Sequence, residues 1–349
     1  MAKTGLVYHS DCLKHLLLEG KPETPERVSS TMEHFRQTGL LARLSLLTPE
    51  PATHDDLELV HTEELINYVR DLSDNGYDEN SVINGDIYIS PDTYNSALLA
   101  AGGVKMAAKA VWSGDVENCF ALVRPPGHHA KRNLPAGFCF FNNTAVAIRC
   151  LQRNEGLGRI AVFDWDAHCG NGTMDIFYED PDVLTISVHQ DPRNFYPGEG
   201  FVEQIGEGEG RGYCMNIPVP AGSGDADYIR ILEEFALPKI RQFDPEIIFV
   251  AAGQDSHADD GMSGLRLTDD GYAAMSSKLR ELALEICDGM LVLTLEGGYN
   301  VDTLPHTHER IVSALLGEKP VEIRGKALES TNTVLQQLRQ QLKGTEMGD

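Results

Sequence analysis

Short apolar runs rich in β-branched residues recur along the chain at Gly5–His9, Cys119–Val123, Arg159–Asp164, Val183–Val188, Glu246–Ala251 and Met290–Thr294. Polar or Gly/Pro positions bound each of them, so they read as buried strands. Between them, apolar positions return at helical spacing in Pro25–Gln37, Asp56–Leu72, Thr93–Ala110, Asn142–Arg153, Ala226–Ile240 and Asp269–Ile286. Strands alternating with long helices predict an α/β fold, with a central, mostly parallel sheet covered by helices on both faces. The chain shows neither an internal repeat nor a long linker. The expectation is one domain over residues 1–349, with its core at about 5–316 and a helical tail at about 318–345. In the tail, Val334, Leu338 and Leu342 share one helical face, which is expected to pack against the body.

Composition narrows the function. Hydrophobic residues make up 42% of the 349, enough for a sizeable core. The 53 Asp and Glu outnumber the 29 Lys and Arg, for a formal charge of −24. That balance argues against nucleic-acid binding, which needs cations to displace phosphate counterions. It suits a cationic substrate, although solubility is the simpler explanation of the charge. The seven cysteines are odd in number and contain no C-x-x-C pair, as expected in a reducing compartment. The N-terminal residues lack a long apolar stretch, and runs such as Ile247–Ala252 fall far short of the ~20 residues that span a bilayer. A cytoplasmic protein with no membrane partner is expected.

The chemistry gathers just after the predicted strands, where ligands bind in open α/β sheets. Arg124-Pro-Pro-Gly-His128-His129 follows one, Asp164-Trp-Asp166-Ala-His168 another, Gln254-Asp255-Ser256-His257 a third and Glu296-Gly-Gly-Tyr299 a fourth. Asp166 and His168, two apart past a strand, point the same way and can grip one cation. Asp255 can supply a third ligand. Three O/N donors leave a coordination position open, as in catalytic sites, and favour Zn²⁺ or Fe²⁺ over Mg²⁺ or Ca²⁺. Read alone, D-x-D-x-H also describes residues that cap a following helix. His128 and His129 sit in a turn that Pro and Gly fix. Amide hydrolysis needs a base and an acid, and unlike partners would drive two imidazole pKa values apart. Asp164 and Asn171 are candidate partners.

RPPGHHA (124–130), GFCFFNN (137–143), DWDAHCGNGT (164–173), PGEG (197–200), AAGQDSH (251–257) and LEGGYN (295–300) together resemble the signature set of the histone deacetylase superfamily. The likeness runs from about Gly5 to about Leu316. It is nearer to the class II and bacterial/archaeal branch, which includes acetylpolyamine amidohydrolases. The resemblance implies a single arginase-like α/β domain and a metal-dependent amidohydrolase. By the same resemblance, Asp166, His168 and Asp255 would bind the metal, and His129 would be general base and then acid. His128, paired with Asp164, would assist electrostatically, Asn171 would orient His129, and Tyr299 would donate to the substrate carbonyl. A structural K⁺ site would draw on Asp164, Asp166, His168 and Ser187. The acyl-lysine tunnel would fall on Gly137, Phe138, Tyr196 and Met262, with Asp86 near its rim and Arg27 lining an acetate channel.

Some positions depart from the family pattern. Cys169 stands where His is usual, and Gln254 replaces an apolar residue. Met262 occupies the place where one polyamine-specific subgroup carries a Glu, so that argument for polyamines is missing. The substrates expected are an acetylated amine, a polyamine or a lysine peptide. The alternatives are a catalytically weak acyl-lysine binding protein, a hydrolase of an unrelated small amide, and an arginase-like ureohydrolase, for which the full set of Asp-rich motifs is not found. The sequence leaves the oligomeric state open, a homo-oligomer included.

Overall fold

The structure is a computed structural model that describes residues 4–16, 20–75, 82–83 and 87–348. Its strands are β1 (Thr4–Val7), β2 (Ser45–Leu47), β3 (Val82–Ile83), β4 (Ile87–Tyr88), β5 (Asn118–Ala121), β6 (Ile160–Asp164), β7 (Val183–Gln190), β8 (Cys214–Val219), β9 (Ile247–Ala252) and β10 (Leu291–Leu295). Its helices are α1 (Glu26–Gln37), α2 (His54–Leu57), α3 (Glu63–Asp74), α4 (Thr93–Trp112), α5 (Asn143–Glu155), α6 (Asn171–Ile176), α7 (Asp225–Ile231), α8 (Leu237–Phe243), α9 (Asp269–Ile286), α10 (Leu304–Leu315) and α11 (Glu329–Leu342). Eight strands form one sheet in the order β2-β1-β5-β10-β9-β6-β7-β8, and every pairing in it is parallel. β3 and β4 make a separate antiparallel pair.

Because side chains alternate across a strand, the sheet builds a core on each face. Leu6, Phe120, Phe163, Val250 and Leu293 point into one, with α1, α7, α9, α10 and α11. Val7, Cys119, Val162, Phe249 and Val292 point into the other, with α3, α4 and α5. All six predicted strands are present. β2 and β8 were not anticipated: the first is only three residues long, and in the second Asn216 and Pro218 interrupt the apolar run. Pro is tolerated there because β8 is an edge strand.

The predicted helix at 56–72 is two helices. Thr53 caps α2 in a capping box with Asp56, and Thr62 caps α3 by accepting from the Leu65 N–H. Between α7 and α8 the backbone forms a π turn at Leu232–Ala236, one residue short of Pro238, whose nitrogen cannot donate to the helical ladder. α10 was also missed. The tail helix α11 packs on β8, burying Leu335, Leu338 and Leu342 while Val334 lies at the rim. Asp227 anchors its start by accepting from the Leu328 N–H and the Thr331 hydroxyl.

Candidate active site

The four strands whose ends carry the chemistry, β5, β10, β9 and β6, are consecutive neighbours in the sheet although far apart in sequence. Their carboxyl ends therefore open onto one place. Asp166, His168 and Asp255 meet there with their ligating atoms within 4.8 Å of one another, all buried. His168 Nδ1 lies 2.8 Å from Asp255 Oδ2 and 3.2 Å from Asp166 Oδ1.

Backbone N–H groups also hold these carboxylates in place. Ala167 donates to Asp255 Oδ1, His168 to Asp166 Oδ1 and Gly297 to Asp166 Oδ2, each at 2.8 Å. The packing requires glycine: a Cβ on Gly253 would stand 1.9 Å from Asp166 Oδ2, and one on Gly297 would stand 2.4 Å from Asp255 Oδ2. Burial and the neighbouring Asp166 push the Asp255 carboxyl up to about 7. Burial works against a charge on His168, yet Asp255 and Asp166 outweigh it and push the ring up to about 10. Two crowded carboxylates and one imidazole, with no thiolate, form a donor set that a divalent Zn²⁺-like cation fits.

The paired histidines stand beside this cluster, their rings 4.0 Å apart. His128 Nδ1 donates to Asp164 Oδ2 at 3.0 Å, and His129 Nδ1 donates to Asn171 Oδ1 at 2.8 Å. Burial disfavours a charge on both, but Asp166 and Asp164 overcome it at His128 and push that ring up to about 10. At His129, burial and the cationic neighbours His128 and His168 act together and hold it well below the ordinary imidazole range. The divergence expected from unlike partners is present, and it leaves His129 Nε2 free to accept a proton.

Tyr299 follows β10, with its ring under the Arg27 guanidinium at 4.8 Å. Burial holds its phenol protonated, against the lowering influence of Arg27. Arg27 itself is fully buried, donating to the carbonyls of Gly298 and Glu296 and to Glu23. Three of the residues expected to line a tunnel stand beside His129 or Tyr299. The Phe138 ring meets that of Tyr299 at 5.8 Å, and Tyr196 stands edge-on to His129 at 5.1 Å. Phe138 adopts a positive φ of 65°, a left-handed conformation rare for an aromatic residue. Gly137 before it has no room for a side chain, since a Cβ would stand 2.3 Å from the His129 ring. Met262 is half-buried, on the loop that Ser263 ties to the Asp255 carbonyl. Ser187 pairs in register with Asp164 and bonds His189. Asp86 lies outside the described residues.

Sequence reasoning gave no role to three residues that shape the site. Glu296 Oε2 accepts from the N–H groups of Gly127 and His128, which fixes the histidine turn. Asp260 Oδ2 accepts from the N–H groups of Tyr299 and Asn300, which fixes the tyrosine loop. Phe195 stacks on His168 at 4.6 Å. Glu296 lies inside the LEGGYN motif and Phe195 beside Tyr196, so each had a positional signal; Asp260 had none.

Known proteins resemble this chain in sequence and fold. A family model described as the histone deacetylase domain covers residues 21–315. A probable deacetylase of Archaeoglobus fulgidus is 44% identical over 90% of this chain and 86% of its own length. A histone deacetylase-like amidohydrolase of Pseudomonas aeruginosa is 39% identical over 85% of this chain and 76% of its own. A human polyamine deacetylase is 37% identical over 92% of this chain, which spans 49% of that protein. The solved HDA15 HD domain superposes with a TM-score of 0.90 at 33% identity, covering 98% of this chain and 95% of that one. With most of the sequence matched by one domain and the same sheet recovered in a solved relative, the chain belongs to the histone deacetylase family.

Proposed function

We propose that this protein is a zinc-dependent amidohydrolase that removes an acetyl or short acyl group from an acetylated amine, a polyamine or a lysine peptide. The observation that carries the reading is the neutral His129, oriented by Asn171, beside the Asp166–His168–Asp255 cluster. Those three side chains would hold Zn²⁺, or Fe²⁺ in its place. The ion would supply Lewis-acid polarisation of the amide carbonyl and acidify a water.

His129 Nε2 takes the proton of the attacking water and returns it to the leaving amine. Its Nδ1–H stays on Asn171 throughout, which fixes the tautomer. His128, held cationic by Asp164 and Asp166, offsets negative charge as it builds beside the ring pair. Tyr299 donates its phenolic hydrogen bond to the carbonyl oxygen, where the tetrahedral species carries most charge. Phe138 and Tyr196 offer aromatic faces to the methylene stem of the substrate. A structural K⁺ at Asp164, Asp166, His168 and Ser187 is part of the same reading, as is acetate release past Arg27.

Turnover of an acetyl-lysine peptide and of N-acetylputrescine, with and without a hydroxamate, tests the reading. Hydroxamate-sensitive hydrolysis of either supports it and ranks the substrates. Failure on both, with metal bound, overturns the substrate class.

A further inference from the structure

A second set of metal-type donors lies outside the active site. His34 on α1 and His306 and Glu309 on α10 bring two imidazole nitrogens and a carboxylate oxygen within 4.8 Å of one another. His306 and Glu309 are three apart on one helix and so share a face. The rings of His34 and His306 stand 4.7 Å apart at 72°. His34 Nε2 lies 2.5 Å from Glu309 Oε2, and among the described residues Glu309 pairs with no Lys or Arg. One turn inward, Thr31 Oγ1 and His308 Nδ1 meet at 2.8 Å, so a buried link already fixes the two helices against each other. His34 and Glu309 are half-buried and His306 is exposed, which leaves one side open to water.

We propose that His34, His306 and Glu309 form a second metal site, taking a Zn²⁺-class cation with water as the fourth ligand. Two imidazoles and one carboxylate make a donor set used for zinc and favour it over Mg²⁺ or Ca²⁺. Donors of a tetrahedral zinc stand about 3.3 Å apart when the bonds are ~2.0 Å. The half-buried His34 and Glu309 side chains reach that spacing by rotating apart while the helices stay in place. The chain's charge of −24 favours any cation at its surface. Occupancy clips α1 to α10, the two helices that flank the tyrosine loop. α1 carries Arg27 to the carbonyls of Glu296 and Gly298, and α10 begins at Leu304, soon after Tyr299.

The test is elemental analysis of the full chain equilibrated with buffered Zn²⁺, paired with thermal melts. The wild type is expected to hold two equivalents, and His306→Ala and Glu309→Gln about one each, with deacetylation unchanged in both. In the Asp255→Ala background added Zn²⁺ still raises the melting temperature, and adding His306→Ala removes that rise. A zinc content in the wild type that His306→Ala does not lower overturns the site. Should Asp255→Ala fail to fold, the stoichiometry of the wild type against His306→Ala decides alone. Loss of the active-site metal would leave the His306-dependent equivalent in place, so failure of the second site and failure of the proposed function read differently.

Discussion

Two buried charge clusters lie close together at the carboxyl end of the sheet, and they are built on opposite principles. In the first, Glu23 sits between Arg124 and Arg27, all three fully buried. Arg124 donates to both Glu23 oxygens, to the Glu23 carbonyl, and to the carbonyls of Cys12 and His15. Arg27 spends its donors on Glu23, Gly298 and Glu296. Burial works against the Glu23 charge, yet Arg124 and Arg27 hold its carboxyl below the ordinary range. In the second cluster Asp166 and Asp255 crowd one imidazole, and burial with Asp166 raises Asp255 instead. The first cluster, one carboxylate between two guanidinium groups, is closed by hydrogen bonds from those groups to backbone carbonyls, and it secures the backbone behind Tyr299. The second carries surplus negative charge, which costs stability and prepares a cation site.

This contrast can be broken by substitution. The largest effect is expected at Asp255→Asn: the active-site metal is lost and activity falls by several orders of magnitude. In chelated protein the same variant melts no lower than the wild type, because it removes a charge that Asp166 repels. Full metal occupancy, measured by elemental analysis, would contradict the ligand assignment. Glu23→Ala should do the reverse by stranding two buried guanidinium groups, at a cost of about 3–5 kcal/mol in denaturant unfolding. A loss under about 1 kcal/mol would show that the cluster is not closed as described.

Tyr299→Phe, at the junction of the two clusters, should lower turnover by about 10²–10³ with metal content unchanged. Unaltered turnover would remove Tyr299 from the chemistry. The smallest effect concerns pH. Burial, aided by Arg27, depresses His308 to about 3, below its unfolded value of 6.5. Its contribution is therefore whole above pH 6.5 and drains away as the pH falls toward about 3. The stability advantage of the wild type over His308→Gln should accordingly shrink between pH 7 and pH 5 in parallel melts. A gap that widens on acidification would reverse the sign.

The sequence exposed the site well because its chemistry is local. Asp164, Asp166 and His168 fall within five residues of a strand end, and His128 with His129 in one rigid turn. The supporting contacts were much less visible, since they join segments far apart. Asp260 reaches Tyr299 across 39 residues, and Glu296 reaches Gly127 across 169. No periodicity encodes such a pairing. The fold divides in the same way. Central strands, buried on both faces, announce themselves as unbroken apolar runs, whereas the edge strands β2 and β8 are too short or too polar to do so. The split of the predicted helix at 56–72 turned on a single threonine cap, which overrides the apolar spacing around it.

β10 slots between β5 and β9 in the finished sheet, yet it is the last strand that the ribosome delivers. A nascent chain made as far as Asp255, just past β9, already carries Asp166, His168, Asp255 and the paired histidines, but neither the Gly297 N–H that steadies Asp166 nor Tyr299. The segment that follows the last-made strand therefore completes the cluster, because one central position in the sheet brings in the backbone donor to Asp166 and the tyrosine together.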